Sequence, residues 1–573
     1  MKNRTIAEMF DRIADILEFK GELPFRVLAY RKASRVIQDL RDNIESIWKE
    51  GKLEEIPGIG EGMAKKIGEY LSTGKMAKFE EVTKSVPSSL IDLLGIQGLG
   101  PKTLSLAYKK LKVKNLLDLK RVIADGSLAK LPRMGDKKVE NLTKGIQLFE
   151  ASHERMSLGI ALPVAEHVIE ELKKATKVSR ISTAGSLRRL KETIGDIDIL
   201  CEGTDGEKII EEFTSLPSAE RVLARGETRG SIIVEGGVQV DLRVVAPASY
   251  GAALQYFTGS KDHNVKLREI ARRKGLKINE YGVFRGERRI AGKNEEDVYK
   301  AVGLPAMPPE LREDRGEIEA AAEGKLPELV TRSDIRGDLH VHSVYSDGSD
   351  SIATIAEKAL SMGYGFIAIC DHSKSASYAG GINETTLLKQ IAEIKKVNSR
   401  LKGRGFRLLA GIEVDIKADG SLDFSDEILE KLDVVVASIH SGFKQRVTER
   451  IVSAMQNPHV HIIGHPTGRL ISRREGYELD LDRVMEAARD TRTALEINAY
   501  YDRLDLSDIG SRKAKESGVT LAIGTDSHSI AHLEFIKFGL AVARRGWLEK
   551  ADLLNTFGVR ELLARLRKKA RGA

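Results

Sequence analysis

Apolar residues recur every three or four positions in IAEMFDRIADILEF (6–19) and again in KIGEYL (66–71), and Gly- and Pro-containing turns separate such runs as far as about Glu150. That period predicts an all-helical beginning, divided into one unit over 1–86 and a second over 87–150. Alternation with a period of two then takes over in VSRISTAG, IGDIDILCE and SIIVEGGVQVDLRVV, with a helical run at GEKIIEEFTSL, so 151–245 is expected to be an antiparallel sheet carrying helices. Residues 246–315 mix helical and strand-like runs, and the charged, Ala- and Pro-dotted stretch 316–333 reads as a linker. From Asp334 to the end, seven apolar runs (RGDLHVHS, YGFIAICDHS, FRLLAGIEVDI, LDVVVASIHS, VHIIGHP, TALEINAY, VTLAIGTDSH) are each followed by helix-like sequence. This predicts a parallel (β/α) barrel of about seven strands, whose functional residues belong at strand C-terminal ends.

Length and composition agree with several soluble domains. The chain has 573 residues, 41% hydrophobic and 31% charged, with a net charge of +8 that permits a polyanionic partner without demanding one. No apolar run is long enough to cross a bilayer and no leader pattern begins the chain, so the expectation is a cytoplasmic protein with no membrane partner. Two cysteines, Cys201 and Cys370, sit inside apolar strand-like runs and read as buried small side chains. Of twelve histidines, nine lie from His340 onward, a crowding that points to metal. Three early turns resemble one another: EIPGIGEGMAKKI (55–67), LGIQGLGPKTLSL (94–106) and, with Arg133 and Met134 departing from the pattern, KLPRMGDKKVENL (130–142). They look like helix-hairpin-helix elements. Gly58, Gly60, Gly98 and Gly100 would let backbone approach a phosphate, the following helix would offer free N–H groups, and Lys102 would add charge, giving sequence-independent duplex binding.

The central constellation is GSLRRLKETIGDIDIL (185–200), followed by VQVDLRVV (238–245). Asp196 and Asp198 project from one face of a strand, and a neighbouring strand could bring Asp241 beside them. Three crowded carboxylates need cations; Mg²⁺, with Mn²⁺ as an alternative, suits all-oxygen ligation, and two ions about 3.5 to 4 Å apart serve in-line displacement at phosphorus. Gly185, Ser186 and Gly195 are small turn residues able to meet phosphate oxygens, with Arg188 or Arg189 as charged donors.

GS, a spaced DxD and a later strand Asp resemble the polymerase beta-like nucleotidyltransferase superfamily. YFTGSKDHNVKLREIARRKGLKINEYGVF (256–284) narrows the resemblance to family X DNA polymerases, and LAYRKASRVI (28–37) extends it over about 1–315. The resemblance implies a palm over 151–245 and a thumb over 246–315. It implies that Asp196, Asp198 and Asp241 are the catalytic, metal-binding acids and that Ser186 and Arg189 contact triphosphate. Tyr256, Phe257 and Gly259 would line the sugar and base pocket, Asn264 would reach the minor-groove edge of the nucleotide, and Arg268 would touch the templating side. Lys66 matches the Schiff-base lysine of eukaryotic relatives, though Gly62 and Arg26 replace neighbouring lysines.

A second cluster is spread over the barrel-like half. His340 and His342 share one strand face, as do Asp526 and His528, and Asp347, His372, Glu413, His440 and His465 lie at or just past predicted strand ends. Nine N/O ligands without thiolate suit up to three ions of Mn²⁺ or Zn²⁺, with Fe²⁺ as an alternative. His459 and His461 read as structural. The arrangement resembles the PHP domain, over 334–573, and Tyr345, Lys374, Arg469 and Arg503 are candidates for holding substrate phosphate. The fold expected is therefore multidomain α+β and α/β: helix-hairpin-helix domains, a polymerase beta-like palm and thumb, and a distorted (β/α)7 barrel. A family X polymerase joined to an intact PHP domain implies gap filling with gapped or primed DNA and dNTPs in base excision repair, plus a Mn²⁺-dependent 3′-5′ exonuclease with abasic-site cleavage and 3′-phosphate removal as related chemistry. The alternatives are a template-independent nucleotidyltransferase fused to a small-molecule phosphatase of histidinol-phosphatase type, and a DNA-binding scaffold with dead sites.

Overall fold

A computed structural model of the chain describes residues 2–38, 44–56, 58–96, 99–132, 134–153 and 155–572. The chain divides into two compact units, residues 1–154 with 472–475, and 155–471 with 476–573.

The first unit is all helical, as its periodicity predicts. The long helix Lys2–Lys20 buries Ile6, Phe10, Ile13 and Leu17 at helical spacing, and the same core takes in Leu104, Leu119 and Leu142 from the second half. The expected division into 1–86 and 87–150 is thus not a division of the core: Phe19 at the end of the first helix meets Tyr108 at 5.8 Å between ring centroids. The three resembling turns share one backbone construction. Ile59, Leu99 and Met134 donate to the carbonyls three residues earlier (Ile56, Ile96, Leu131) at 2.9–3.0 Å, and all three side chains are buried. Met134 therefore fills the apolar position of the third turn despite its departure from the pattern. Helices begin directly after, at Glu61, at Pro101 and at Asp136. Proline at the first helical position is well placed because that N–H has no helical partner.

In the second unit, β1 (Met156–Ser157) and β3 (Thr193–Ile194) form a small antiparallel pair. Strands β2 (Ile181–Thr183), β4 (Ile197–Glu202), β5 (Ala219–Arg225), β6 (Arg229–Val234) and β7 (Val238–Val245) form a sheet in the order β2-β4-β7-β6-β5. The antiparallel expectation fails at its centre, because β4 and β7 run parallel. Alternating side chains record strand faces but not strand direction, so the pattern carried no signal for this. Ile197, Ile199 and Cys201 face a core with the helices Leu158–Ala175 and Gly206–Thr214, leaving Asp198 and Leu200 on the opposite face, where Leu200 meets Tyr250 and Leu254 of the helix Tyr250–Thr258. The next piece combines that helix, Lys261–Arg273 and Glu295–Ala301 with a sheet of β8 (Lys277–Asn279), β9 (Gly282–Arg285) and β10 (Arg288–Ala291). The stretch 316–333 is no solvated linker. Its helix Glu317–Ala322 buries Ile318 and Ala321 in the core of the preceding piece, and the fully buried Glu317 carboxylate lies 2.6 Å from His263 Nδ1. A charged side chain counted as solvent-facing is instead an internal hydrogen-bond partner.

The seven predicted strands form one parallel sheet in sequence order: β11 (Gly337–Val341), β12 (Phe366–Ile369), β13 (Arg407–Asp415), β14 (Val434–Ser438), β15 (Ile462–Ile463), β16 (Ala494–Asn498) and β17 (Leu521–Gly524). A parallel bridge between Val341 and Ser527 brings the last strand back to the first, nearly closing a barrel. Phe366, Leu409, Val434, Ile462, Ala494 and Ala522 pack with Leu562, Leu563 and Leu566 of the helix Val559–Gly572. Apolar packing continues from the mixed sheet into the barrel, and at Gly159 the approach is close: a Cβ there would lie 2.4 Å from the Tyr501 ring. Gly159→Val should therefore overpack this contact and cost about 1–3 kcal/mol, read as a lowered unfolding midpoint of the full chain; an unchanged midpoint would show that the two bodies do not pack as described.

Candidate active sites

The parallel register of β4 and β7 sets Asp198 directly opposite Asp241, and Asp196 lies two residues before Asp198 on the same face. Oxygens of all three carboxylates lie within 4.8 Å of one another. Burial, followed by the charges of Asp196 and Asp241, pushes the Asp198 carboxyl up to about 6. Arg229 offsets part of that charge, with Nη2 3.4 Å from Asp241, and Gln239 donates to the other Asp241 oxygen at 3.1 Å. Gly185 opens the turn Gly185–Arg188 with φ +58°, and a Cβ there would lie 2.4 Å from Asp198 Oδ2, so this position admits no side chain while the carboxylate keeps its place. Ser186 is half-buried in that turn, and Gly195 directly precedes Asp196. An all-oxygen donor set with one acid held up by its neighbours fits hard divalent cations.

Arg189 does not present its guanidinium as expected. Its Nε donates to Glu313 at 3.0 Å and its Nη1 to the Thr258 carbonyl, and the residue is only 9% exposed. Arg188 is likewise engaged, forked onto both Glu295 oxygens at 2.8 Å. Tyr256 and Phe257 meet edge to face at 5.1 Å, and the Arg243 guanidinium lies 4.4 Å over Phe257, which places Phe257 beside the acids. Gly259 (φ +69°) faces Arg189. Asn264 is also occupied internally: it accepts from Gln255 and donates to the Tyr256 carbonyl, both at 2.7 Å. Arg268 Nε donates to the Asn264 carbonyl at 3.2 Å.

The barrel brings all nine candidate ligands to one place. His340, His342 and Asp526 form one group, His342, Asp347, His372 and His528 a second, and His372, Glu413 and His440 a third, each with donor atoms within 4.8 Å. His465 joins through Glu413, its Nε2 3.1 Å from Oε1. His342 Nε2 lies 3.2 Å from His340 Nε2 and 3.0 Å from Asp526 Oδ1. Two ring nitrogens aimed at one point, with His342 Nδ1 and His465 Nδ1 buried and lacking hydrogen-bond partners, is an arrangement that cations complete. Without them the charges are unevenly held. Burial and the neighbouring His528 and His372 push His342 down to about 3, whereas at His440 burial is outweighed by Glu413 and Asp415, which push it up to about 10. His465 and Asp526 also take left-handed backbone (φ +29° and +53°), local strain of about 1–3 kcal/mol each that typically collects at functional sites.

Models for a helix-hairpin-helix domain match residues 1–76, for a SAM-like helix-hairpin-helix tandem 90–147, for a DNA polymerase beta thumb 253–313 and for a PHP domain 338–500. Over 99% of its length the chain is 39% identical to the Bacillus subtilis (strain 168) protein named DNA polymerase/3′-5′ exonuclease PolX, all of which it covers. The chain belongs to the family X DNA polymerases that carry a C-terminal PHP domain. DNA polymerase lambda of Arabidopsis thaliana is 28% identical over 54% of this chain and 62% of its own length, and a probable phosphatase of Thermoanaerobacter sp. (strain X514) is 31% identical over 38% of this chain and 89% of its own length.

Sequence reasoning missed several residues of this family X chain. Glu496 holds His340 Nδ1 at 2.7 Å and accepts the His465 backbone N–H at 2.7 Å, and Asp415 holds His440 Nδ1 at 2.9 Å. The signal was available in TALEINAY and GIEVDI, where an acid interrupts an otherwise buried strand. Of the phosphate candidates, Arg469 is bonded to Glu192 and to the Arg503 and Leu504 carbonyls, which makes it a tie between barrel and palm. Tyr345 donates to Glu393, Lys374 lies 5.5 Å over Phe424, and Arg503 Nε stays 3.6 Å from Asp526. His461 accepts the Val435 N–H, a structural role. In the first unit, Gly58 (φ +101°), Gly60 and Gly100 are in place, Lys102 is 85% exposed, and Gly98 lies outside the described residues. Lys66 Nζ donates to the Gly62 carbonyl at 2.7 Å and lies 5.7 Å over Tyr30, and partial burial holds its amine below the ordinary lysine value. No described helix is long and apolar enough to cross a membrane.

The raised Asp198 carboxyl has a definite sign. Because its folded pKa lies above the ordinary value, the folded state binds the proton more tightly, so the metal-free chain loses stability as pH rises toward and past about 6. In chelator, Asp198→Asn should therefore stabilise relative to the unsubstituted chain at pH 8, by on the order of 1–2 kcal/mol, with the difference shrinking toward pH 5. Adding Mg²⁺ at pH 8 should reverse the order. A pH-independent difference between the two melting points would show that the Asp198 carboxyl is not held above its ordinary value.

Proposed function

We propose that this chain is a DNA-directed DNA polymerase that fills short gaps during repair and trims 3′ ends at a separate centre in its barrel. The observation that carries the reading is the pair of cation-demanding clusters within one family X chain, one made only of carboxylates and one dominated by imidazole. Divalent cations held by Asp196, Asp198 and Asp241 (Mg²⁺, or Mn²⁺) and by the nine barrel ligands (Mn²⁺ or Zn²⁺) would supply the positive charge that polarises a phosphoryl group and stabilises the departing oxygen. Around the first cluster, the Gly185–Ser186 turn and Gly195 offer small-residue access for a dNTP triphosphate. Phe257 and Tyr256 provide an apolar wall for sugar and base, and Arg229 and Arg243 balance the acids. Arg189, Asn264 and Arg268 would have to exchange internal bonds for nucleotide or template contacts.

The hairpin turns are assigned to gapped or primed DNA. A Cβ at Gly60 or Gly100 would meet only open space, so packing does not explain these glycines, whereas close passage of a phosphate does. At the barrel, Glu496 and Asp415 orient His340 and His440 and hold their tautomers, so that ligand nitrogens rather than protonated ones face the centre. A 3′-terminal phosphodiester is the substrate assigned to it, with abasic-site cleavage and 3′-phosphate removal as the same chemistry on neighbouring ends. Lys66, with its lowered pKa, is the residue that would carry an abasic-sugar lyase step. The chain is proposed to act as a nucleoid-associated monomer.

Two measurements follow. On a one-nucleotide gapped duplex, Asp198→Ala should abolish extension and leave 3′ digestion intact, and His342→Ala should do the reverse; loss of both activities in both variants would contradict two independent centres. Binding to gapped duplex should weaken steeply with added salt, as phosphate contacts release counterions, and a flat salt response would remove the hairpins from the DNA interface.

A further inference from the structure

Among the contacts between the barrel and the polymerase half, one is buried against the turn that carries Ser186. Arg545, the last residue of the barrel helix Ile536–Arg545, is 5% exposed and donates through one nitrogen, Nη1, to the Arg189 main-chain carbonyl at 2.7 Å and to Glu313 at 2.9 Å. Glu313 in turn accepts from Arg189 Nε, so Arg545 holds both the backbone and the side-chain partner of the residue that ends the Gly185–Arg188 turn. Its second terminal nitrogen, Nη2, donates to Asp508 at 2.8 Å, which pins the guanidinium in orientation. The turn needs holding. Leu190, directly after Arg189, has φ +52°, a conformation unfavourable for a residue with a branched side chain, and Gly185 at the other end abuts Asp198 Oδ2. Arg544, one residue earlier on the same helix, makes an equally intimate contact that bypasses the turn: it donates to Glu310 at 2.7 Å and to the Val330 carbonyl at 2.9 Å.

We infer that the PHP barrel serves nucleotidyl transfer as well as its own chemistry: Arg545 is a positioning residue that fixes the triphosphate-side turn through Glu313 and the Arg189 carbonyl. The inference deepens the polymerase reading above and rests on it. A guanidinium suits this role because its donors leave in fixed directions, two onto acids and one onto a carbonyl, which a lysine ammonium does not reproduce. The carboxylates that complete the network come from the end of the thumb (Glu313) and from the barrel (Asp508), so one cation ties the turn, the thumb and the barrel together at the wall of the dNTP site.

The test is steady-state single-nucleotide gap filling by the full chain, with 3′ digestion of a single strand measured alongside. Arg545→Met should raise KM for the dNTP about tenfold or more with kcat changed less than about threefold, and should leave 3′ digestion within about twofold. Arg545→Lys should recover part of the loss. Arg544→Met, which removes a comparable contact between the same bodies, should leave KM for the dNTP unchanged. Should Arg545→Met fold poorly because Glu313 is left unpaired, the double variant Arg545→Met/Glu313→Gln removes both charges, and its KM should resemble that of Glu313→Gln alone, because the two residues act as one unit. Equal KM values for Arg544→Met and Arg545→Met, or an unchanged KM in Arg545→Met while Ser186→Ala raises it, would overturn the inference alone. A Ser186→Ala variant with unaltered KM would overturn the reading of the turn, and the inference with it.

Discussion

β4 lies parallel to β7 with Asp198 across from Asp241, and this register forces three carboxylates into one small volume. Much of the surrounding structure answers to that crowding. Gly185 carries no side chain because an Asp198 oxygen occupies the space; Arg229 and Gln239 take up part of the negative charge on Asp241; and the Asp198 proton is held more tightly than in an isolated aspartate. The barrel meets a related constraint with different side chains. There imidazoles and carboxylates approach within hydrogen-bond distance, and fixed acids behind them, Glu496 and Asp415, set which ring nitrogen faces inward. A carboxylate-only cluster and an imidazole-rich cluster within one chain offer cations two different donor sets.

The five-stranded sheet with its helices, the thumb and the barrel form one packed body. Core packing runs from the palm helix Leu158–Ala175 into the barrel through the Gly159–Tyr501 contact, and ion pairs tie the rest: Arg469 to Glu192, Arg544 to Glu310 and Arg545 to Glu313. Of these pairs Arg545–Glu313 is the most deeply buried, and removing one partner of a buried pair is far costlier than breaking a surface bridge. The segment after the thumb takes part in the same way, because Glu317 closes on His263 instead of joining two independent domains by a free tether.

Much of this was legible in the chain. The acids of DID and the histidines of DLHVHS read directly as side chains that converge, because alternation fixes the face of a side chain whatever the sheet around it, and the seven apolar runs gave the barrel in its order. Strand direction was not legible: nothing in IGDIDILCE distinguishes a parallel from an antiparallel neighbour. Charge misled wherever a charged group had a buried partner. The stretch 316–333 looked solvated because its composition does not reveal that Glu317 meets a histidine far earlier in the chain. Arg189 and Arg469 looked available for phosphate because their acids, Glu313 and Glu192, are not neighbours in sequence. Glu496 and Asp415 went unremarked although an acid in a buried apolar strand is itself a signal, since burial without a partner would be too costly to keep.

The central claim is that both clusters exist to hold cations. Anomalous diffraction at the manganese edge, from crystals of the full chain grown with Mn²⁺, tests it most directly. Peaks are expected among Asp196, Asp198 and Asp241 and among the nine barrel ligands; barrel peaks with no density between the three aspartates, or manganese bound only elsewhere on the molecule, would contradict it.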